Sequence, residues 1–169
     1  MFRACKKGEC FCKRLWFMNM LQICTMYVGR LFLSSIFLLS AIQEMLDWSS
    51  TEQYFLMSMT RWMNGFQAGD FFASFLANIF PWMPWILLLA IVFKIVGSVL
   101  LILGCSVRLG ATLLILFLIP TSWIVHGFWM LPVADRALEM VMFVKNMSIL
   151  GGLLVVLSIG KGPSFSKGD

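Results

Sequence analysis

The sequence predicts an all-α membrane protein: a four-helix transmembrane bundle with an amphipathic helical segment between spans 1 and 2. Of its 169 residues, 60% are hydrophobic and only 12% are charged, whereas a soluble domain carries about 25% charged residues. So few polar side chains do not cover the surface of a soluble globule. A helix crosses a bilayer with about 20 mostly apolar residues. Four segments meet this requirement, at about 24–46, 84–104, 109–129 and 138–159.

Basic residues are distributed unevenly around these spans and predict their orientation. Five precede the first span, namely Arg3, Lys6, Lys7, Lys13 and Arg14. With the N-terminus inside, the inner flanks hold these five plus Arg108, Lys161 and Lys167, against Arg61 and Arg136 outside. Lysine and arginine concentrate in cytoplasmic flanks, so both termini are predicted to be cytosolic. Beside a span such a cluster sets orientation, and we expect no nucleic-acid partner.

The resulting organisation is one membrane domain with two tails. We expect a basic cytosolic tail over 1–23, the four-helix domain over 24–160 and a disordered cytosolic tail over 161–169. Five cysteines are distributed over the chain, at Cys5, Cys10, Cys12, Cys24 and Cys105. The first three lack a nearby histidine and do not complete a four-ligand zinc site. Because a cytosolic tail is kept reduced, we expect free thiols and no metal.

The linker between spans 1 and 2 is too polar to cross the membrane and too aromatic for a free loop. Within it, GDFFASFLANIF is typical of a short amphipathic helix, with Asp70 as its N-cap. Its apolar face comprises Phe71, Phe72, Phe75, Leu76, Ile79 and Phe80. Helices of this kind lie in the membrane interface or cover the mouth of a bundle.

Each span carries one stripe of polar or small residues at helical spacing. Polar side chains are costly in lipid and small ones mark helix contacts, so these stripes are predicted to face inward. In span 1 the stripe is Arg30, Ser34, Phe37, Ala41 and Glu44; in span 2, Ala90, Lys94, Gly97, Ser98, Leu101 and Cys105. In span 3 it is Arg108, Thr112, Ile115, Ile119, Ser122, His126 and Trp129; in span 4, Met142, Lys145, Ser148, Ile149, Gly152 and Val156. Pro120 is predicted to kink span 3.

Depth along the helices groups the polar residues into a candidate site on the outer side. With a rise of about 1.5 Å per residue, Glu44, His126 and Lys145 lie within about 11 Å of the outer helix ends. Lys94 lies deeper and forms the predicted floor. The candidate ligand-binding residues are therefore Glu44, Lys94, His126, Trp129, Lys145 and Asn146. Asn146 is one position off the stripe, so contact with a neighbouring helix is its alternative role.

The charges of the apolar zone do not balance, because Arg30, Lys94 and Lys145 face a single acid, Glu44. A deprotonated lysine, a side chain that reaches the interface, or a bound partner with electron-rich oxygens would each resolve this. For Lys145 with Asn146, a structural role stands beside donation to a quinone carbonyl or an anionic headgroup. For His126, an interfacial position stands beside a proton relay near a quinone.

Three stretches resemble DoxX-type membrane proteins: RLFLSSIFLLSAIQEMLDW, the segment from Ile91 to Trp129, and FVKNMSILGGLLVV. The resemblance covers about 27–162 and includes the Lys145-Asn146 pair with its following Gly-Gly. Relatives often carry lysine at the place of Glu44 and glutamate at the place of Lys94. Since both signs are reversed together, we predict that the two residues are charge-coupled, although helix rise separates them by about 12 Å in depth.

This resemblance implies a multi-pass protein of the prokaryotic cytoplasmic (inner) membrane. It also implies an accessory subunit of a quinone-linked or oxidative-stress redox system, because some relatives are subunits of thiosulfate or quinol oxidising complexes. A quinone is then the expected cofactor, and membrane or peripheral redox proteins are the expected partners besides the bilayer. We expect no intrinsic catalysis; an enzymatic role would be that of a quinone-linked oxidoreductase subunit. The alternative is a small-molecule or lipid-binding transporter or assembly protein without redox activity.

Overall fold

The computed structural model describes residues 7–65 and 71–160 of the chain, and these residues are almost entirely helical. Six α-helices follow one another: α1 Lys7–Leu46, α2 Trp48–Gly65, α3 Phe71–Ile79, α4 Met83–Leu103, α5 Val107–Ile124 and α6 Arg136–Ile159. No strand occurs in this described part. The predicted all-α class is thereby confirmed. The predicted Asp70 cap and the tail 161–169 fall outside the described residues.

Four helical segments are long and apolar enough to cross a membrane: Met20–Leu46, Ala77–Leu103, Val107–Met130 and Arg136–Ile159. They correspond to the four predicted spans. The linker between the first two folds into α2 and α3, as its aromatic content predicts. On α3, Phe71 is 86% exposed and Phe75 50% exposed. The described part of its apolar face is therefore open to lipid.

The four long helices form a bundle that is tight on three sides and loose on the fourth. Helix α4 packs along both α1 and α5, and α5 packs along α6, whereas α1 and α6 touch only locally. Helix α2 reaches α1, α4 and α5 at the end where α1 finishes. The core between the long helices is formed by Phe37, Leu101, Val107, Leu114, Leu118 and Leu153.

The predicted inward faces of α1 and α4 are confirmed for most of their positions. The buried residues include Arg30, Ser34, Phe37, Ala41, Lys94, Gly97, Ser98 and Leu101. Cys105 at the end of that stripe is instead exposed. These two helices present their charged and small residues to each other.

The predicted faces of α5 and α6 are confirmed only in part: Ser122 is buried as predicted, whereas several other stripe positions are exposed. In α5 the buried positions include Gly110, Ala111 and Leu114, while Arg108 and Thr112 are exposed. In α6 the buried residues are Asn146 and Leu153, while Lys145 and Ser148 are exposed.

The exposed hydroxyl groups are satisfied within their own helices. The Thr112 hydroxyl donates to the Arg108 carbonyl oxygen at 2.8 Å, and the Ser148 hydroxyl donates to the Val144 carbonyl oxygen at 3.1 Å. A hydroxyl bonded to its own helix needs no partner inside the bundle. Lys145 extends along the helix surface, as long basic side chains do.

The closest approach of α4 and α5 is at two glycines. A Cβ atom on Gly110 would lie 2.8 Å from the Gly97 carbonyl oxygen, and one on Gly97 would lie 3.0 Å from the Gly110 carbonyl oxygen. Main-chain atoms cannot rotate away as a side chain can. Small residues are therefore required at both positions for the helices to pack this closely.

We expect Gly110→Ala to lower the free energy of unfolding by about 1–3 kcal/mol, the usual effect of overpacking. The matched control is Gly151→Ala, because a Cβ atom there has no neighbour within 4 Å. Thermal unfolding of the two variants in detergent measures the difference. Equal melting temperatures would contradict the close-packing interpretation.

Candidate functional site

A cavity of about 210 Å³ lies between α1, α5 and α6, beneath α2. It is at the end of the bundle that the sequence predicts to face outward. Four of the six candidate residues line it: Glu44, His126, Lys145 and Asn146. Phe37, Phe55 and Phe117 contribute aromatic walls. The predicted grouping of these four polar residues is thus present in the structure.

Lys94 lies behind this cavity and is paired with Glu44. Its side chain is 1% exposed, and its Nζ forms an ion pair with Glu44 Oε1. The same Nζ donates to Ser40 Oγ at 3.2 Å and lies 4.6 Å from the centroid of the Phe117 ring. Ser40 Oγ in turn donates to Glu44 Oε1 at 3.0 Å. The predicted charge coupling between span 1 (α1) and span 2 (α4) is therefore confirmed.

The expected difference in depth between Glu44 and Lys94 does not prevent their contact, for a geometric reason. Lys94 contacts Ser40 as well as Glu44, and Ser40 is one helical turn before Glu44. The contact is therefore made below the end of α1, and the lysine stem covers the remaining distance. Phe117 and Ser40 were not predicted as members of this cluster.

One carboxylate oxygen of Glu44 has no hydrogen-bond partner. Oε2 is fully enclosed and unpaired, although Glu44 lines the cavity and its Oε1 is shared by Lys94 and Ser40. Asn146 is 7% exposed and also lines the cavity. In the part of the chain that the structure describes, its side-chain amide makes no hydrogen bond. An acceptor and an amide are thus both left for a ligand.

A second polar cluster meets the cavity at His126. Its Nδ1 lies 2.7 Å from Glu139 Oε2, and the Tyr54 hydroxyl donates to Glu139 Oε1 at 3.0 Å. Glu139 is in the first turn of α6, where the helix dipole favours a carboxylate. The cluster joins α2 to the start of α6. The sequence signal for Glu139 was its place in that first turn.

The environment of Tyr54 changes its proton affinity. Partial burial, together with the hydrogen bond to Glu139 and the negative charge of Glu139, raises the pKa of Tyr54 from 10.0 to about 12. Arg61 acts in the opposite direction. Tyr54 therefore stays protonated as a donor to Glu139 throughout the physiological range.

Two of the candidate residues, Lys94 and Trp129, do not line the cavity. Lys145 lines it as predicted but is exposed, with its Nζ 3.2 Å from Met142 Sδ. The cavity lining does not include Trp129, which packs against Trp123 at 5.0 Å and Phe143 at 5.6 Å between ring centroids. Packing against other aromatic rings stabilises the Trp129 side chain in this cluster.

No group of three potential metal ligands is found among the described residues. Cys24 and Cys105 are exposed free thiols there, Cys5 is outside the described part, and nothing is described for the side chains of Cys10 and Cys12.

We expect Glu44→Lys and Lys94→Glu each to destabilise the fold strongly. Breaking a buried pair leaves an uncompensated buried charge, which lowers the free energy of unfolding by about 3–5 kcal/mol. The double reversal should recover at least half of either loss. As a control, Glu44→Lys combined with Arg136→Glu should recover nothing, since Arg136 is exposed and bonds to the Leu131 carbonyl. Thermal unfolding measures the stability of the two single variants, the double reversal and the control double variant. A double reversal no better than the singles would refute the coupling.

Ultraviolet titration should show a tyrosine that ionises near pH 12, because the folded pKa of Tyr54 is raised to about 12. Between pH 10 and 12 the unfolded chain loses this proton while the folded chain keeps it. Stability therefore falls as pH rises through that window and is fully retained below it. Glu139→Gln should lower the pKa only part of the way, since burial is its main cause. Tyr54→Phe should remove the high transition, and Glu52→Gln should leave it unchanged.

Comparison with known proteins agrees with this architecture. A family model, DoxX, matches residues 25–127. The matched range includes Glu44, Lys94 and His126, whereas Lys145 and Asn146 lie beyond it. No solved structure matches the chain. Because the match covers more than half of the sequence and the structure has four helices fit to cross a membrane, the chain belongs to the DoxX family of membrane proteins.

Proposed function

We propose that this DoxX-family protein is an accessory subunit of a quinone-linked or oxidative-stress redox system in a prokaryotic cytoplasmic membrane. In this proposal both termini are cytosolic and the cavity beneath α2 binds the headgroup of a quinone, preferentially in its reduced, hydroxylated form. The observation that carries the proposal is that Glu44 lines the cavity while its Oε2 is enclosed and has no hydrogen-bond partner.

The chemistry of this oxygen favours a hydroxyl donor. A carboxylate that is ionised beside Lys94 only accepts hydrogen bonds. An enclosed acceptor without a partner loses about 1–3 kcal/mol, which a ligand hydroxyl would restore. A quinol carries such hydroxyls, whereas a quinone carbonyl would bring a second acceptor against Oε2. The Asn146 amide both donates and accepts, so it suits either oxygen.

The size and walls of the cavity fit one aromatic ring. Drug-sized ligand sites occupy about 300–1,000 Å³, and this cavity has about 210 Å³. Phe37, Phe55 and Phe117 line the cavity, and aromatic side chains pack against a further ring edge-to-face or offset-stacked. Ile36 and Ile149 line the side where α1 and α6 pack loosely, and the isoprenoid tail would leave the cavity there.

A bound quinone supplies exchange of two electrons and two protons. The protein's share in the proposal is to bind the ring and to accept or return protons at His126, whose Nδ1 is held by Glu139. Exchange of electrons is assigned to a membrane or peripheral redox partner.

The same oxygen also supports the alternative function. Any hydroxylated lipid or small molecule would satisfy Glu44 Oε2, so a lipid-binding or transport role without redox activity has a specific observation in its favour. The two functions differ in whether the bound molecule has a redox-active ring. They are therefore separable by the identity of the ligand.

The test is binding of a short-chain hydroquinone and its oxidised benzoquinone to the purified full-length chain, under anaerobic conditions and by calorimetry. We expect the hydroquinone to bind at least about tenfold more tightly, since a hydrogen bond to a charged group contributes about 1.5–3 kcal/mol. Asn146→Leu should weaken both ligands and leave the Lys94–Glu44 pair intact. Glu44→Gln should remove the preference, because an amide donates as well as accepts, and Glu52→Gln is the matched control.

The outcomes discriminate between the functions. Equal affinity for the two forms would refute the preference for the quinol. Binding of neither form, together with co-purified hydroxylated lipid that is lost in Asn146→Leu, would favour the alternative function. Extraction of the purified protein for native quinones gives an independent measure of occupancy.

A further inference from the structure

Two arginines meet at the opposite end of the bundle from the cavity. Arg30 is 4% exposed, and its Nη2 donates to the Gly160 carbonyl oxygen at 2.5 Å. A Cβ atom on Gly160 would lie 2.9 Å from Arg108 Nε. Both guanidinium groups therefore approach the same residue, although they belong to α1 and α5.

The neighbouring helix ends show where the two arginines lie along the bundle. Arg30 lies within α1, yet a Cβ atom on Gly104 would lie 3.8 Å from its Nη1. Gly104 follows the last residue of α4, Arg108 is in the first turn of α5, and Gly160 follows the last residue of α6. The Arg30 side chain is thus at the end of the bundle, where an aqueous headgroup region begins.

Among the side chains that the structure describes, no carboxylate pairs with either arginine. The ion pairs found among those side chains are Lys94–Glu44 and His126–Glu139. Arg30 lies 5.7 Å from the Tyr27 ring centroid, which adds a weak attraction only. The C-terminal ends of two helices contribute about half a negative charge each, and the start of a third contributes about half a positive charge. The helix ends together contribute about half a negative charge, so the two guanidinium groups leave a net positive charge of more than one unit.

We propose that Arg30 and Arg108 form a binding site for a phosphate-bearing anion at the predicted cytosolic end of the bundle. A guanidinium is planar and binds phosphate oxygens in pairs. Arg108 is exposed and meets the anion directly, while the more enclosed Arg30 adds a fixed positive charge behind it. Anionic lipid headgroups concentrate at the cytosolic face, and free phosphate carries the same chemistry. This site does not depend on the function proposed for the cavity.

Occupation of the site would stabilise the bundle as well as neutralise it. The Arg30 bond to Gly160 holds the end of α6 against α1, the two helices that otherwise pack loosely. An anion shared with Arg108 would add α5 to the same contact. We therefore expect the bound anion to raise the melting temperature.

Two probes are titrated into the purified full-length chain: dihexanoylphosphatidylglycerol and inorganic phosphate, with dihexanoylphosphatidylcholine as the zwitterionic comparison. We expect saturable binding of an anionic probe and a rise in melting temperature. Arg108→Gln should weaken binding at least about tenfold, the scale of one charge-assisted contact. Arg108→Lys should weaken it less, because the charge remains and the fork is lost. Arg136→Gln removes an exposed arginine from the other end of α6 and should change nothing.

The lipid and phosphate arms identify the source of the anion. Tight binding of phosphatidylglycerol with no competition from inorganic phosphate indicates a lipid headgroup, whereas competition at equal concentration indicates free phosphate. The site is refuted if Arg108→Gln binds both probes as the unsubstituted chain does. It is also refuted if Arg136→Gln weakens binding as much as Arg108→Gln. Because Arg108 is exposed, its variants should retain the fold, which melting without any probe verifies.

Discussion

The burial of Lys94 is the constraint on which the rest of the structure depends. An ammonium group that is 1% exposed in an apolar bundle requires a counter-charge. Glu44 supplies it from another helix, and Ser40 and Phe117 complete the surroundings of the charge. This requirement fixes α1 against α4 in one register. Glu44 also lines the cavity, so one residue serves both the fold and the candidate site.

The polar groups are separated into two layers with an apolar core between them. One end holds the pairs Lys94–Glu44 and His126–Glu139. The other end holds Arg30 and Arg108, and the core around Leu114 lies between. The end with the two ion pairs encloses the cavity for which we propose a neutral, hydrogen-bonding ring. At the other end, where the arginines have no ion pair among the described side chains, we propose an anion. The two proposed ligands therefore follow from one charge distribution.

Sequence patterns predicted the spans and two of the four inward faces. They succeeded for α1 and α4 because Arg30 and Lys94 carry charges that must be met by groups on other helices. They succeeded only in part for α5 and α6, where Ser122 is buried but Thr112 and Ser148 bond to their own helices and are exposed. The bond between Tyr54 and Glu139 joins residues 85 positions apart. No local periodicity reports such a contact, so the Tyr54–Glu139 bond of the His126 cluster was not predictable.

The dual role of Glu44 restricts how protons would be handled in the proposed site. A proton placed on Glu44 would remove the counter-charge of Lys94 and so weaken the contact that holds α1 to α4. His126 is not a counter-charge for Lys94. Glu139 holds its Nδ1, and in the proposed site the other ring nitrogen would exchange a proton. Glu139 would stabilise the resulting imidazolium, as the Tyr54 hydroxyl stabilises Glu139 itself. In the proposed site Glu44 would therefore serve as a hydrogen-bond acceptor, and His126 would be the group that passes a proton to or from the cavity.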